Sequence, residues 1–259
     1  MNYDVIIIGA GLGGLTAGAK LVKEGKKVLL IEQHYVPGGC ATTFQRKGYT
    51  VEVGLHELDG FSDSSFKTKI FKEFDVFNNV EFVKLPEFYE TNWKGKSFVL
   101  PENIEKASQK LINEFPDEEK GIIKFLYFIK GIDNEIKNMP KTKSEKIIKS
   151  ILFPAFYPKL VKSSKTDVGT FIDSIIKNEW LKIILLSNLS YYHDNPYTAS
   201  LFYFAAGQAS YYLNGSYFIK GGSQKLSDYL MKYIKDNGGE VKLMNMVNEI
   251  IIEKGKAVV

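Results

Sequence analysis

An α/β fold interrupted by an inserted α+β zone is what three features of this 259-residue chain predict. The first is an apolar run, Tyr3-Asp4-Val5-Ile6-Ile7-Ile8, that feeds directly into Gly9-Ala10-Gly11-Leu12-Gly13-Gly14 with G-x-G-x-x-G spacing. The second is a helix-like stretch from Leu12 to Glu24, ended by Gly25, and a second apolar run, Lys27 to Ile31, that closes on Glu32. The third is a change of texture over residues 57–215, after which glycine pairs, a helix and alternating strands return. Together they predict a Rossmann-like domain in two segments, 1–56 and 216–259, with a second domain over 57–215 between them.

The opening strand–turn–helix–strand is a candidate dinucleotide site over Gly9, Ala10, Gly11, Gly13 and Gly14. Gly9 allows the tight turn, Gly11 leaves room for backbone to approach a pyrophosphate, and Gly14 lets helix pack closely on strand. The helix N-terminus presents N–H groups and partial positive charge to phosphates. Glu32, at the end of the second strand and beside Gln33, can accept a hydrogen bond from a ribose 2′-hydroxyl, whereas a 2′-phosphate would meet like charge.

Pro37-Gly38-Gly39 then makes a turn in which the glycines can adopt angles closed to other residues and pass close to a flat ligand. The hydroxyls of Thr42 and Thr43 can reach phosphate or ribitol oxygens. Cys40 is the only cysteine, so neither a disulfide framework nor a cysteine zinc site is expected. It reads as a small buried residue in a reducing cytosol, and the protein as cytoplasmic. His34, His56 and His193 show no metal-ligand spacing, and no metal is expected.

In the middle zone, Phe66, Ile70, Phe71 and Phe74 recur near helical spacing over 63–77. Residues 80–85 and 97–100 read as strands around a Trp93-Lys94-Gly95-Lys96 turn. Helices are expected over 102–114, opened by Pro101, and over 117–138 and 171–189. Residues 147–162 combine aromatics, prolines and flanking lysines, which suits either a segment lying on a membrane surface or a buried loop. The stretch 201–212, with Tyr203, Phe204, Tyr211 and Tyr212 among alanines, suits an apolar pocket lining and a core equally. In the last zone Ser223 is placed to cap a helix running to Ile234 that Gly238 and Gly239 end. Residues 240–247 and 250–253 read as strands, and Lys254-Gly255-Lys256 as a hairpin turn.

Two sets of motifs carry a family resemblance. Gly38-Gly39-Cys40-Ala41-Thr42-Thr43-Phe44 with Gly48-Tyr49 and Val53-Gly54-Leu55-His56 resembles the phytoene desaturase, carotenoid isomerase and retinol saturase branch of the amine-oxidase-like flavoproteins. Gly221-Gly222-Ser223-Gln224-Lys225-Leu226, Gly238-Gly239-Glu240-Val241 and Val247-Asn248-Glu249-Ile250 are similar to that family's return to its FAD domain. The resemblance implies a glutathione-reductase-type FAD-binding domain, with 57–215 as an inserted substrate or cap domain. It implies FAD as cofactor, Val247 against the adenine, and Gly54, Leu55 and His56 at the isoalloxazine edge. It also implies hydride transfer to or from flavin N5 on an apolar polyene or isoprenoid, of desaturase, saturase or isomerase type, with no catalytic residue evident.

Family members continue into a C-terminal half with a Gly-Asp motif. The resemblance therefore makes this chain an N-terminal half: a truncated product, a cloning boundary, or one part of a split enzyme completed by a second polypeptide. The alternative function is a non-catalytic dinucleotide-binding fragment or subunit.

Composition sets the outer limits. Hydrophobic content of 44% with 25% charged residues is that of a soluble globular protein. A net charge of +4, from 34 basic and 30 acidic residues, is too mild for nucleic acid, and no basic stripe is evident. Aromatic content of 14% points to an apolar pocket or to large buried surfaces.

Overall fold

The computed structural model describes residues 2–140, 152–191, 193–253 and 256–258. They form two compact units: unit 1 is Met1–Leu58, Ser65–Val83 and Phe218–Val259, and unit 2 is Asp59–Ser64 and Lys84–Tyr217.

Unit 1 opens with β1 (Val5–Ile8), α1 (Leu12–Lys23) and β2 (Val28–Ile31). The two strands are parallel, from Val5 opposite Val28 to Ile8 opposite Ile31. An antiparallel hairpin of β3 (Thr43–Arg46) and β4 (Tyr49–Glu52) follows, then β5 (Leu58–Asp59), α2 (Phe66–Glu73), α3 (Val76–Asn79) and β6 (Phe82–Lys84). The single helix expected over 63–77 is broken at Asp75, whose left-handed backbone (φ 56°) ends one helix and starts the next.

Residues 65–83 belong to unit 1, where the sequence placed them in the middle zone. The reason is packing: the Phe74 ring is buried with its centroid 5.4 Å from that of Tyr233. The Tyr229 hydroxyl donates to the Phe74 carbonyl at 2.7 Å, and Glu73 pairs with Lys20 of α1 at 2.6 Å.

Unit 2 begins with β7 (Glu87–Trp93) and β8 (Lys96–Pro101), an antiparallel hairpin whose turn residues Lys94 and Gly95 both have positive φ, as type I′ requires. The strand that faces β8 is therefore 87–93 rather than the expected 80–85. Pro86, which cannot donate to a ladder, separates it from β6. Then come α4 (Ile104–Glu114), α5 (Glu119–Lys137), α6 (Phe153–Phe156), α7 (Pro158–Ser163), α8 (Val168–Asp173), α9 (Glu179–Leu186), α10 (Leu201–Asn214) and β9 (Ser216–Ile219).

Asn103, not Pro101, starts α4, because its side chain accepts the N–H groups of Glu105 and Lys106. The helix expected over 171–189 is two helices, the second capped by Asn178 through the N–H of Leu181. Aromatic side chains are prominent in this core. Phe125, Phe128, Phe171, Phe204 and Tyr212 are buried, and the Phe128 and Phe171 rings lie 4.5 Å apart. Over 201–212 the core reading holds for Phe204 and Tyr212, while Tyr203 is exposed. Residues 147–151 lie outside the described residues. Of the rest of 147–162, Tyr157 and Leu160 are buried, and residues 152–156 are exposed.

The chain returns to unit 1 within β9, at Phe218, and continues as α11 (Gln224–Asp236), β10 (Glu240–Lys242), β11 (Ile251–Glu253) and β12 (Lys256–Val258). The strand β10 pairs parallel with β2, giving the order β1-β2-β10. It stops at Lys242 rather than Val247, and Met244, at φ 57°, turns the chain aside. Helices α1 and α11 pack so closely that a Cβ on Gly18 would stand 2.8 Å from Ile234 Cδ1 and 3.4 Å from Ile7 Cδ1. Ile7 thus faces the helices. Its neighbours Ile6 and Ile8 point to the opposite face and are 36% and 52% exposed. The strands β11 and β12 pair antiparallel, and the turn residues 254 and 255 lie outside the described residues.

Candidate functional site

The glycine turn of unit 1 is built as its spacing predicts. Gly9, at φ 96°, donates its N–H to the Ile31 carbonyl at 2.7 Å, tying the turn to the end of β2. A Cβ on Gly14 would stand 2.1 Å from the Gly9 carbonyl oxygen, so only glycine lets α1 approach the strand. A Cβ on Gly11 or Gly13 would meet nothing within 4 Å, which leaves open space before the helix. Gly11 is the N-cap of α1 and no side chain caps it, so the first-turn N–H groups are offered to a ligand.

Glu32 has more to do than the sequence reading gave it. It is 9% exposed. One carboxylate oxygen accepts the Ala10 N–H at 2.7 Å and the other the His34 N–H at 2.8 Å. Its backbone is held as well, by Lys242 and Asn245, whose partner contacts are 2.8 and 2.9 Å. The return segment is thereby fixed beside the strand end: Met244 donates to the His34 carbonyl at 3.0 Å, and Val247 follows half-buried.

The Pro-Gly-Gly turn is docked on the first glycine turn. Gly38, at φ 122°, donates to the Ala10 carbonyl at 2.7 Å and forms a parallel bridge with Gly11. A Cβ on Gly39 would stand 3.3 Å from Gly11 Cα. Thr42 is buried, and its hydroxyl donates to the Gly39 carbonyl at 3.0 Å, so it holds the loop; Thr43 opens β3. Glu32, Gln33, Gly39, Thr42, Thr43 and Val53 are among the residues that line a cavity of about 400 Å³. The His34 and Tyr35 rings, 4.4 Å apart, stand at the same cavity.

Gly54 comes close to Cys40, since its Cβ would be 3.1 Å from the Cys40 carbonyl oxygen. Leu55 is half-buried and His56 exposed. Cys40, expected to be buried, is exposed, because it sits at the outer edge of the turn that Gly38 and Gly39 make.

Sequence reasoning missed the fastening of this loop to α11. Ser223 does not cap the helix. Its N–H and hydroxyl both donate to the Glu52 carboxylate, each at 2.6 Å. Gln224 donates to the Pro37 carbonyl at 3.0 Å and Ser227 to the Ala41 carbonyl at 2.7 Å. The signal was an acid on an otherwise exposed strand and a polar first turn on α11, but neither names its partner at a separation of 171 residues. Among the described residues, no helix is long and apolar enough to cross a membrane, and no group of three or more His, Cys, Asp or Glu could hold a metal ion.

Comparison with known proteins agrees with this geometry. The pattern of the NAD(P)-binding Rossmann-like domain matches residues 7–74. The chain is 26% identical to an all-trans-retinol 13,14-reductase of Danio rerio, over 98% of this chain and 43% of that protein. It is 28% identical to a chloroplastic prolycopene isomerase of Daucus carota, over 99% and 43%. A solved oxidoreductase from Methanosarcina mazei shares the fold, with a TM-score of 0.67 at 22% identity, over 97% of this chain and 54% of that one. The chain spans less than half the length of the curated relatives it matches. Over nearly its whole length the chain is therefore similar to the retinol 13,14-reductases and prolycopene isomerases, and it shares the fold of the solved oxidoreductase.

Proposed function

We propose that unit 1 binds FAD and that the chain is the flavin-binding portion of an oxidoreductase acting on an apolar polyene or isoprenoid. The observation that carries this is the docking of Gly38-Gly39 on Gly11, fastened from behind by Gln224 and Ser227. A site for NAD alone has no use for a second glycine turn held against the first.

In this reading the N-terminus of α1 takes the pyrophosphate in the open space before Gly11 and Gly13, and Glu32 meets the adenosine ribose. Gln33, Thr43 and Val247 flank the nucleotide, and Gly54, Leu55 and His56 lie toward the ring system. When bound, the flavin supplies hydride transfer at N5. The protein's part is to hold the two glycine turns in register, orient the cofactor and exclude water.

The test is to purify the chain and titrate it with FAD, NAD and ADP, following flavin fluorescence anisotropy and displacement. FAD should bind more tightly than NAD, ADP should compete, and Gly39→Val should abolish the preference by pushing on Gly11. Equal affinity for NAD and FAD in the wild type would sink the proposal.

A second reading has its own observation. In the described sheet β1 is an edge strand, and the Ile6 and Ile8 face is exposed. A further polypeptide segment that adds a strand to β1 and covers those isoleucines would complete the domain. Adding the separately expressed C-terminal portion of a relative should then raise FAD affinity, and unchanged affinity would count against it.

A further inference from the structure

Five consecutive apolar residues of unit 2, Leu152-Phe153-Pro154-Ala155-Phe156, are all exposed. Exposed runs of this length are unfavourable in water and call for a partner. Leu152 is 52% and Phe156 48% exposed, yet the next residue, Tyr157, is 2% exposed.

The protrusion is anchored at its base. The buried Tyr157 donates its hydroxyl to the Asn138 carbonyl at 2.9 Å, and its ring lies 4.8 Å from that of Phe153. Beyond it, the buried Glu135 carboxylate of α5 accepts the N–H groups of Lys159 and Leu160 at 3.1 and 2.9 Å, fixing the start of α7. Rings held out on so firm a base are presented to something.

Charge narrows what that is. Residues 152–166 contain Lys159, Lys162 and Lys165 and no acidic residue. Lys162 and Lys165 are exposed. The carboxylate that faces α7, Glu135, is buried and turned to the backbone and to Lys159, 3.9 Å away. A second copy of the chain meeting this surface would set lysines against lysines, which disfavours self-association.

We infer that α6 is an interfacial anchor for a bilayer containing anionic phospholipid. Leu152, Phe153 and Phe156 enter the headgroup boundary, and Lys162 and Lys165 lie against lipid phosphates. The link to the proposed reaction is that apolar polyenes reside in such bilayers. The anchor itself does not depend on that reading, since vesicle binding and flavin binding are measured separately.

The experiment is co-sedimentation of the full chain with vesicles of phosphatidylcholine alone or with about 30% phosphatidylserine, a fraction that gives a strongly anionic surface. The wild type should partition onto the anionic vesicles. Phe153→Ser/Phe156→Ser should lower partitioning by about tenfold or more. Lys162→Gln/Lys165→Gln should lower it by about 10–30-fold on anionic vesicles and leave phosphatidylcholine unaffected. All substituted side chains are surface-facing, and an unchanged far-ultraviolet circular dichroism spectrum verifies folding.

Absence of wild-type binding to anionic vesicles would overturn the inference, as would binding that the phenylalanine variant leaves unchanged. So would light scattering showing a wild-type oligomer that the phenylalanine variant dissociates while vesicles bind neither protein.

Discussion

Replacing Glu32 by Gln separates two roles that one side chain combines. The carboxylate now satisfies two backbone donors, Ala10 N–H at 2.7 Å and His34 N–H at 2.8 Å, in a position 9% exposed. Glutamine has one acceptor oxygen and one NH₂ group. Whichever way it turns, one of the two backbone N–H groups faces another donor. Hydrogen bonds to a charged acceptor contribute about 1.5–3 kcal/mol each, and a buried unsatisfied donor costs about 1–3 kcal/mol. One bond weakened and one lost should destabilise unit 1 by roughly 2–4 kcal/mol.

At an m-value of about 2 kcal/mol per molar, that lowers the urea midpoint by about 1–2 M. The assay is urea unfolding followed by circular dichroism, with ADP affinity measured below the transition. Glu32→Asp is the control: it keeps both acceptors and the charge but is one methylene too short to reach both donors, so it should fall between wild type and Glu32→Gln. A midpoint shift below about 0.3 M, with ADP affinity nevertheless reduced, would refute the structural role and leave Glu32 as a ligand contact only.

Further outcomes follow from other sites. Gly14→Ala places a Cβ 2.1 Å from a backbone oxygen that cannot yield, so it should destabilise by about 3 kcal/mol or more, seen as a lower melting temperature and loss of soluble protein. Gln208 is fully buried in unit 2, and neither of its amide atoms has a hydrogen-bond partner among the described residues. Gln208→Leu should therefore stabilise by about 1–3 kcal/mol and raise the melting temperature by several degrees; a lower one would mean that the amide serves a bound polar group. The Asp173 carboxyl is held below its ordinary range by Lys182, 2.7 Å away, and by the Tyr197 hydroxyl at 2.9 Å. A lowered folded-state pKa contributes stability above the unfolded value near 3.8, and that contribution disappears as pH falls through the folded value. Asp173→Asn should accordingly destabilise at pH 7 and flatten the stability profile below about pH 4, and a profile parallel to wild type would refute the pairing.

What could be read from the sequence was what is local. The Gly9-to-Glu32 unit was legible because strand, turn, helix and strand lie within one short stretch, and their spacing is dictated by backbone sterics. The return of the chain to the β2 edge was legible because Gly238 and the α11 stripe of Leu226, Leu230 and Ile234 repeat the helix-to-strand grammar. What was missed depends on distant partners. Nothing in 65–83 announces that Phe74 seats beside Tyr233, and nothing in Ser223 announces that it bonds Glu52 instead of its own helix. The strand expected at 80–85 is present as β6 (Phe82–Lys84), but its pairing with β8 was missed, because an apolar run looks alike on either side of Pro86 and only the partner strand decides which half pairs.

The divided sequence of unit 1 bears on how the protein is made. The pairing of Leu29 with Glu240 joins residues roughly two hundred positions apart. During synthesis β1, α1 and β2 leave the ribosome with one sheet edge open, and they wait about 10–40 s, at ordinary elongation rates, for β10 to arrive. The continuous stretch Lys84–Tyr217, by contrast, has nearly all of its unit available within that interval and can collapse first. A nascent chain arrested near residue 220 should therefore protect unit 2 from protease while the Gly9–Glu32 segment is still cut, a vectorial order that refolding from denaturant need not repeat.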